Sequence, residues 1–152
     1  MKKYFFSLRD TIAALSERGH MPRTEQVATK HKKQVVDITD SVEAFLGGEK
    51  AENGLCHVFA KHTTCAVTTA DLDPGTDLDM LDAFEKLIPK LNYRHPHNPA
   101  HVPDHIMSCI IGPGVMLPVH RGALQLGTWQ RVVLIELDGP RKREVVLTYI
   151  RG

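Results

Sequence analysis

The sequence predicts an α+β protein: a β-rich antiparallel sandwich with two main covering helices. Three observations point there. Short β-rich apolar segments outnumber helical ones, several of them follow one another with only turn residues between, and two stretches carry clean helical spacing. Consecutive strands of this kind favour antiparallel pairing over βαβ crossovers. A chain of 152 residues suits one domain with a sizeable core.

The elements follow in order. Residues 1–23 read as an N-terminal extension, helical or mobile: Leu8, Ile12 and Leu15 have helical spacing, Gly19 would end such a helix, and Met21 is an alternative start. The domain proper is expected over 24–152. It begins with strand-like alternation from Thr24 through Val27, Thr29 and His31, followed by the β-rich Val35-Val36-Asp37-Ile38. Asp40 and Glu43 resemble a capping box, which predicts a short helix from Ser41 to Leu46 ended by Gly47 and Gly48. Leu55 to His62 reads as a strand, with Cys65 to Thr69 as its continuation. A second helix is expected from Asp77 to Leu91, with Leu78, Leu81, Phe84, Ile88 and Leu91 as its apolar stripe and Asp77, Asp79 and Asp82 towards its positive end. Pro89 would kink or stop it. The proline-rich 92–103 segment predicts an ordered loop or lid. Strands are expected at Ile106–Ile111, Val115–His120, Arg131–Leu137 and Glu144–Ile150, with tight turns at Arg121-Gly122 and Asp138-Gly139.

Charge narrows the function classes. The formal net charge is +1, so no broad field attracts nucleic acid or an anionic membrane. No apolar run reaches the length of a membrane span. The basic start at Lys2 and Lys3 is interrupted by Arg9 and Asp10 before a signal-peptide core forms. Cys56, Cys65 and Cys109 are an odd, sparse set, read as buried reduced thiols; together these features predict a cytoplasmic protein. Cys65, close to His62, is a minor candidate nucleophile.

The chemistry is expected among histidines. Five of the nine are His62, His95, His97, His101 and His105, and four of these fall between positions 95 and 105. Imidazole binds transition metals and titrates near neutrality, so the density suits metal binding or proton transfer. Prolines restrict the loop and reduce the entropy lost on arranging ligands. No standard zinc signature is present. His57 and His62 are five apart on one strand, hence on opposite faces, and His62 is the better site candidate. Asp71 and Asp104 are the carboxylate candidates, able to complete a metal site or orient an imidazole, whereas Asp73, Asp77 and Asp79 have structural roles in a turn and a helix start. Thr128, Gln130 and Arg131 could present donors to a phosphate, as could Thr63 beside His62. Trp129 between them reads as a core or interface residue. No glycine-rich phosphate loop of the ATP or NAD type occurs.

Six motifs in this order resemble the YjbQ-like family: His62-Thr-Thr, Asp71-Leu-Asp-Pro74, Tyr93-Arg-His95, Asp104 ahead of Gly112-Pro113, Gly127-Thr-Trp-Gln130 and Asp138-Gly-Pro-Arg141. The resemblance runs from Thr24 to Arg151. Its members are sometimes labelled secondary thiamine-phosphate synthases. It implies a jelly-roll-like sandwich, a homotrimer, and a histidine-lined pocket for zinc or an anion, in which His62, His95 and His105 match the family's histidines. Asp71 stands where many members carry glutamate, in a segment one residue shorter here. The implied reaction joins a pyrimidine-methyl diphosphate to a thiazole phosphate and releases diphosphate, a step that needs charge stabilisation by Mg²⁺ or cations.

The leading expectation is therefore an enzyme, or former enzyme, that handles a small phosphorylated or anionic metabolite. His62, His105 and Asp71 would be catalytic, His62, His95, His105 and Asp104 would hold a divalent metal, and Thr63, Thr128, Gln130 and Arg131 would bind substrate. Two alternatives are a non-catalytic trimer that binds metal or a small anion, and a histidine cluster that only stabilises a subunit boundary.

Overall fold

The computed structural model describes residues 21–152. The helix expected at Leu8–Leu15 lies outside the described residues. Strand β1 (Arg23–Ala28) is followed by β2 (Gln34–Asp37), helix α1 (Thr39–Gly48), β3 (Gly54–Ala60), β4 (Cys65–Ala70), α2 (Thr76–Leu87), a 3-10 turn (Pro99–His101), α3 (Val102–Ile111), β5 (Gly114–His120), β6 (Ala123–Leu124), β7 (Arg131–Glu136) and β8 (Lys142–Arg151). The strands form a five-stranded sheet, β1-β8-β3-β5-β6, and a three-stranded sheet, β2-β7-β4. Every pairing is antiparallel. The α+β sandwich is the fold the alternation predicts.

β7 shows how the layers are set. Its Val132, Val133, Leu134 and Ile135 are all fully buried, as expected for a central strand covered on both faces. Val132 and Leu134 face the inter-sheet core with Val58, Val145 and Leu147, and α1 adds Val42, Phe45 and Leu46 to it. Fully burying each of those three α1 side chains stabilises the fold by about 1.5–3 kcal/mol relative to exposure. Val133 and Ile135 face the other way, onto Met107 of α3 and Met80, Leu81 and Phe84 of α2.

Several local expectations need correction. α1 begins two residues early, at Thr39, with Ile38 at its N-cap. The carboxylate that serves this end is Asp37, which accepts from Thr39 N at 2.9 Å and Thr39 Oγ1 at 2.6 Å. Glu43 instead accepts Leu124 N–H at 3.0 Å, so the Asp40/Glu43 capping box does not form. Gly47 and Gly48 lie in the last turn, and Lys50 takes the left-handed conformation beyond it. α2 stops at Leu87 ahead of Pro89; Leu81, Phe84 and Ile88 pack inward, while Leu78 and Leu91 are exposed.

The largest correction is at Ile106–Ile111, which is the body of α3 and not a strand. A short apolar run is ambiguous by itself, and Pro103 in the first turn favours a helix start as much as it forbids a strand. The described residues thus have three α-helices. The Arg121-Gly122 turn is as expected: both residues have positive φ, the geometry of a tight hairpin, joining β5 to β6. Asp138-Gly139 is no hairpin, because β7 and β8 belong to different sheets. A Cβ at Gly139 would lie 2.8 Å from Glu136 Cγ and closer still to the His31 carbonyl, so glycine is required there for close packing. Likewise β4 does not continue β3 but crosses to the other sheet.

Candidate functional site

Two such crossings and one helix start make the site. Lys61-His62-Thr63-Thr64 carries the chain from β3 to β4, and Leu137-Asp138-Gly139-Pro140-Arg141 carries it from β7 to β8. The Leu137 N–H donates to Thr64 O at 3.2 Å, tying one crossing to the other. α3 is fastened above them: Ser108 Oγ donates to Cys65 O at 2.7 Å, and His105 Nδ1 lies 3.0 Å from Thr63 O. Between them opens a pocket of about 360 Å³ lined by residues of both crossings with His101, His105 and Arg143. Lys61, Arg141 and Arg143 supply three cations to its wall against one carboxylate, Asp138.

The floor is a buried ion pair. Glu136 is 0% and Arg143 2% exposed. Arg143 Nε donates to Glu136 Oε2 at 2.7 Å, its terminal nitrogen binds Glu136 Oε1, and it also donates to Thr64 Oγ1 at 3.0 Å. Thr29 Oγ1 and the Asp138 N–H complete the carboxylate's partners at 3.0 and 2.9 Å. Burial acts to raise the Glu136 pKa, but the hydrogen bonds from Arg143 and Asp138 N–H and the Arg143 charge outweigh it and hold the carboxyl below the usual range. Neither residue stands out in the sequence, where Glu136 closes an apolar strand and Arg143 lies in a basic run.

At the pocket rim, one ring nitrogen from each of His95, His101 and His105 lies within 4.8 Å of the others. His101 and His105 are four apart, so the helical backbone brings them to one face, their rings edge to face with centroids 4.9 Å apart. His101 ends the 3-10 turn, whose first amide at Ala100 is capped by Asn98 Oδ1 at 3.1 Å. The His95 ring stacks on His105 at 5.7 Å. Tetrahedral zinc with bonds of about 2.0–2.1 Å spaces two nitrogens about 3.3 Å apart, so the rings need to draw in by at most about 1.5 Å. His101 Nε2 is buried and is the only buried side-chain polar atom without a partner among the described residues. With Nδ1 of His105 facing a carbonyl, its proton sits there and Nε2 is left as a lone pair. His95 differs: its Nδ1 accepts long bonds from His97 N and Asn98 N at 3.4 and 3.5 Å, which must open if this ring ligates through Nε2.

The expected set is only partly assembled. His95 and His105 meet as foreseen, but the third imidazole is His101. His62 lines the pocket, yet its Nε2 accepts Glu144 N–H at 2.8 Å. Burial, and then the Arg143 charge, hold its pKa below the ordinary imidazole range. Asp104 is not in the histidine group and is buried, at 6% exposure. Its pKa is raised, by burial first. The carboxylate near the rings is Asp138, whose Oδ2 lies 3.7 Å from His101 Nδ1. Burial opposes its charge, but Arg141, 2.7 Å away, keeps its pKa below the usual range. Thr63 is in the pocket wall.

The remaining candidates sit elsewhere. Ala70 pairs with Arg131 and Cys65 with Glu136, so Arg131 is five residues, about 17 Å, along β7 from the pocket floor. Asp71 accepts Asp73 N–H at 3.0 Å in a turn at that far end. Gln130 accepts Gly127 N–H at 2.7 Å and reaches Thr69 Oγ1 at 3.4 Å, while Arg131 faces Asp37 at 3.9 Å. Thr128 belongs to the same loop, and Trp129 is 69% exposed, not core. Asp71, Thr128, Gln130 and Arg131 therefore do not reach this pocket within one chain. The sequence signal for the third imidazole is the i, i+4 spacing of His101 and His105, which acts only because 102–111 is helical.

The sequence model of one family, described as UPF0047 protein YjbQ-like, matches residues 23–152. The chain belongs to this YjbQ-like family. The match begins where β1 begins. A UPF0047 protein of Mycobacterium bovis is 38% identical over 125 residues, covering 80% of this chain and 95% of its own. The UPF0047 protein YugU of Bacillus subtilis is 34% identical over 124 residues, covering 81% and 94%. The crystal structure of a hypothetical protein from Aeropyrum pernix superposes with a TM-score of 0.81 at 34% identity, over 88% of this YjbQ-like chain and all of that one. Among the described residues, no helix is long and apolar enough to cross a membrane.

The thiols divide cleanly. Cys56 and Cys65 are fully buried, and burial pushes their pKa values to about 12 and about 11. Cys65 thus has neither the exposure nor the thiolate character that favours a nucleophile. Cys109, on α3, is exposed rather than buried. A thiol reagent under native conditions should modify one cysteine rapidly and the other two only on unfolding, as read by mass spectrometry.

Proposed function

We propose that this protein binds a divalent cation, zinc in the first place, at His95, His101 and His105, and that metal and cationic wall together hold a small phosphorylated or otherwise anionic metabolite. The observation that carries the reading is the grouping of His95, His101 and His105, one ring nitrogen of each within 4.8 Å of the others, together with a buried Nε2 of His101 that has no partner. A buried acceptor without a partner costs about 1–3 kcal/mol, which a bound metal would relieve. Three imidazoles suit zinc better than Mg²⁺, which prefers oxygen ligands. The bound ion would supply Lewis-acid stabilisation of charge on a phosphoryl oxygen.

The chain's own groups do the rest. Lys61 and Arg141 are partly exposed on the wall, placed to neutralise an entering anion. Because Nε2 of His62 accepts an N–H, its proton sits on Nδ1, a neutral donor. This supports charge stabilisation of a diphosphate leaving group, and so a thiamine-phosphate synthase-like transfer as a side activity, more than nucleophilic catalysis. The alternative of a non-catalytic metal or anion binder has the same pocket and differs only in lacking turnover. Leu55, Met116 and Ile150 are 39%, 50% and 47% exposed on the uncovered face of the five-stranded sheet, which supports self-association as the implied homotrimer. Reduced thiols support a cytoplasmic location.

Metal analysis of tag-free protein, then thermal shifts with Zn²⁺ and with inorganic phosphate, tests the reading. Near-stoichiometric zinc and a raised Tm are expected, about 2.7 kcal/mol of stabilisation at a hundredfold excess over Kd. Absence of metal together with no shift would leave the cluster a structural one.

A further inference from the structure

We infer that Asp138 is a positioning residue for the metal centre: its carboxylate holds the Nδ1–H of His101, which leaves the buried Nε2 of that ring as the bare lone pair a divalent cation takes. The inference rests on the metal reading above and goes beyond it, because it assigns a role to the Asp138-Gly-Pro-Arg141 segment, outside the ligand set.

A neutral imidazole carries one proton. On Nε2 it would be a buried donor with no acceptor, since that atom has no partner. On Nδ1 it faces Asp138 Oδ2 at 3.7 Å, both side chains being largely shielded at 24% and 18% exposure. Closing that gap by about 0.5–1 Å gives a charge-assisted hydrogen bond. Electrostatics and the avoidance of an orphan donor select the same tautomer. His105 follows the same rule from the other crossing, its Nδ1 on Thr63 O at 3.0 Å. Two of the three ligands are thus oriented by outer acceptors, one from each link between the sheets, as is usual for metal-bound histidines.

Asp138 is itself held from three sides. Arg141 donates to its Oδ2 at 2.7 Å and to its carbonyl at 2.6 Å, and its own N–H donates to Glu136 Oε1 at 2.9 Å. The metal centre is therefore tied to the buried Glu136–Arg143 pair by a chain of hydrogen bonds. Arg141 serves as a clamp on Asp138.

Long-range ¹H–¹⁵N NMR on metal-free wild-type protein should show His101 protonated at Nδ1 and bare at Nε2; the opposite tautomer overturns the inference without requiring any variant to fold. In chelator-competition titrations with Zn²⁺, Asp138→Asn should bind about 10–100-fold more weakly than wild type, with the metal-free Tm little changed. Asp138→Glu should recover part of the loss, and Arg141→Met should show a smaller one. Equal affinity of Asp138→Asn and wild type, with His101→Ala still losing zinc, sinks the positioning role and leaves the metal site standing. Wild-type protein that binds no zinc sinks both.

Discussion

His101→Ala and His105→Ala should each abolish tight zinc binding, while His62→Ala leaves the affinity within a few-fold of wild type. The contrast follows from where the ring nitrogens are. His101 and His105 bring theirs, with that of His95, within 4.8 Å of one another, but His62 Nε2 is taken by the Glu144 amide. Losing a ligand should exceed the roughly 10–100-fold that loss of an outer partner costs. A ligating imidazole must be unprotonated, so acid competes with the metal and affinity should fall steeply as pH is lowered. Isothermal titration of the three variants checks both points. Undiminished zinc binding by His101→Ala, or its loss in His62→Ala alone, would return the site to His62, His95 and His105, the set that the family resemblance implies.

Glu136→Gln should be the most destabilising of the single substitutions considered. It leaves the Arg143 guanidinium, 2% exposed, without its counter-charge, a change worth about 3–5 kcal/mol. At about 2–4 °C per kcal/mol for a chain of this size, Tm should drop by roughly 6–20 °C. Replacing both partners with methionine should recover most of that loss, because the desolvation of the two ions disappears with them. The pH dependence has a definite sign. The folded protein binds the Glu136 proton less tightly than the unfolded chain does. The pair's contribution is therefore complete above the ordinary glutamate value and is lost as pH falls through the lower folded value. The depressed His62 imidazole acts in the same acid direction at higher pH, present above the ordinary imidazole value and lost below it. Urea midpoints from pH 7 to pH 3 should decline for wild type and decline less through the carboxylate range for Glu136→Gln. Parallel profiles would show that this carboxylate does not titrate differently on folding.

Much of the architecture was legible because strands and amphipathic helices write their periods into the sequence. The apolar run at Val132–Ile135 announced a strand, and the spacing of Leu81, Phe84 and Ile88 announced α2; that the strand is covered on both faces only the structure shows. Turn chemistry was less reliable where two residues suit several geometries: Arg121-Gly122 is a hairpin, but Asp138-Gly139 is a passage between sheets. The error at Ile106–Ile111 had the largest consequence. Read as a strand, that segment leaves 101–105 in a loop; as the body of a helix that starts at Val102, it brings the His101 and His105 rings edge to face.

Local chemistry along the chain determined the sandwich, the family and the concentration of imidazoles between 95 and 105, because each depends on the period of apolar residues or on runs of neighbouring residues. Which imidazoles meet, and that Asp138 comes within 3.7 Å of one of them, was decided only when two sheet-to-sheet crossings came together beneath α3. The same step buried Glu136 against Arg143. Contacts of that kind join residues seven to 107 positions apart, and their energy depends on desolvation, which no residue carries until the chain closes around it.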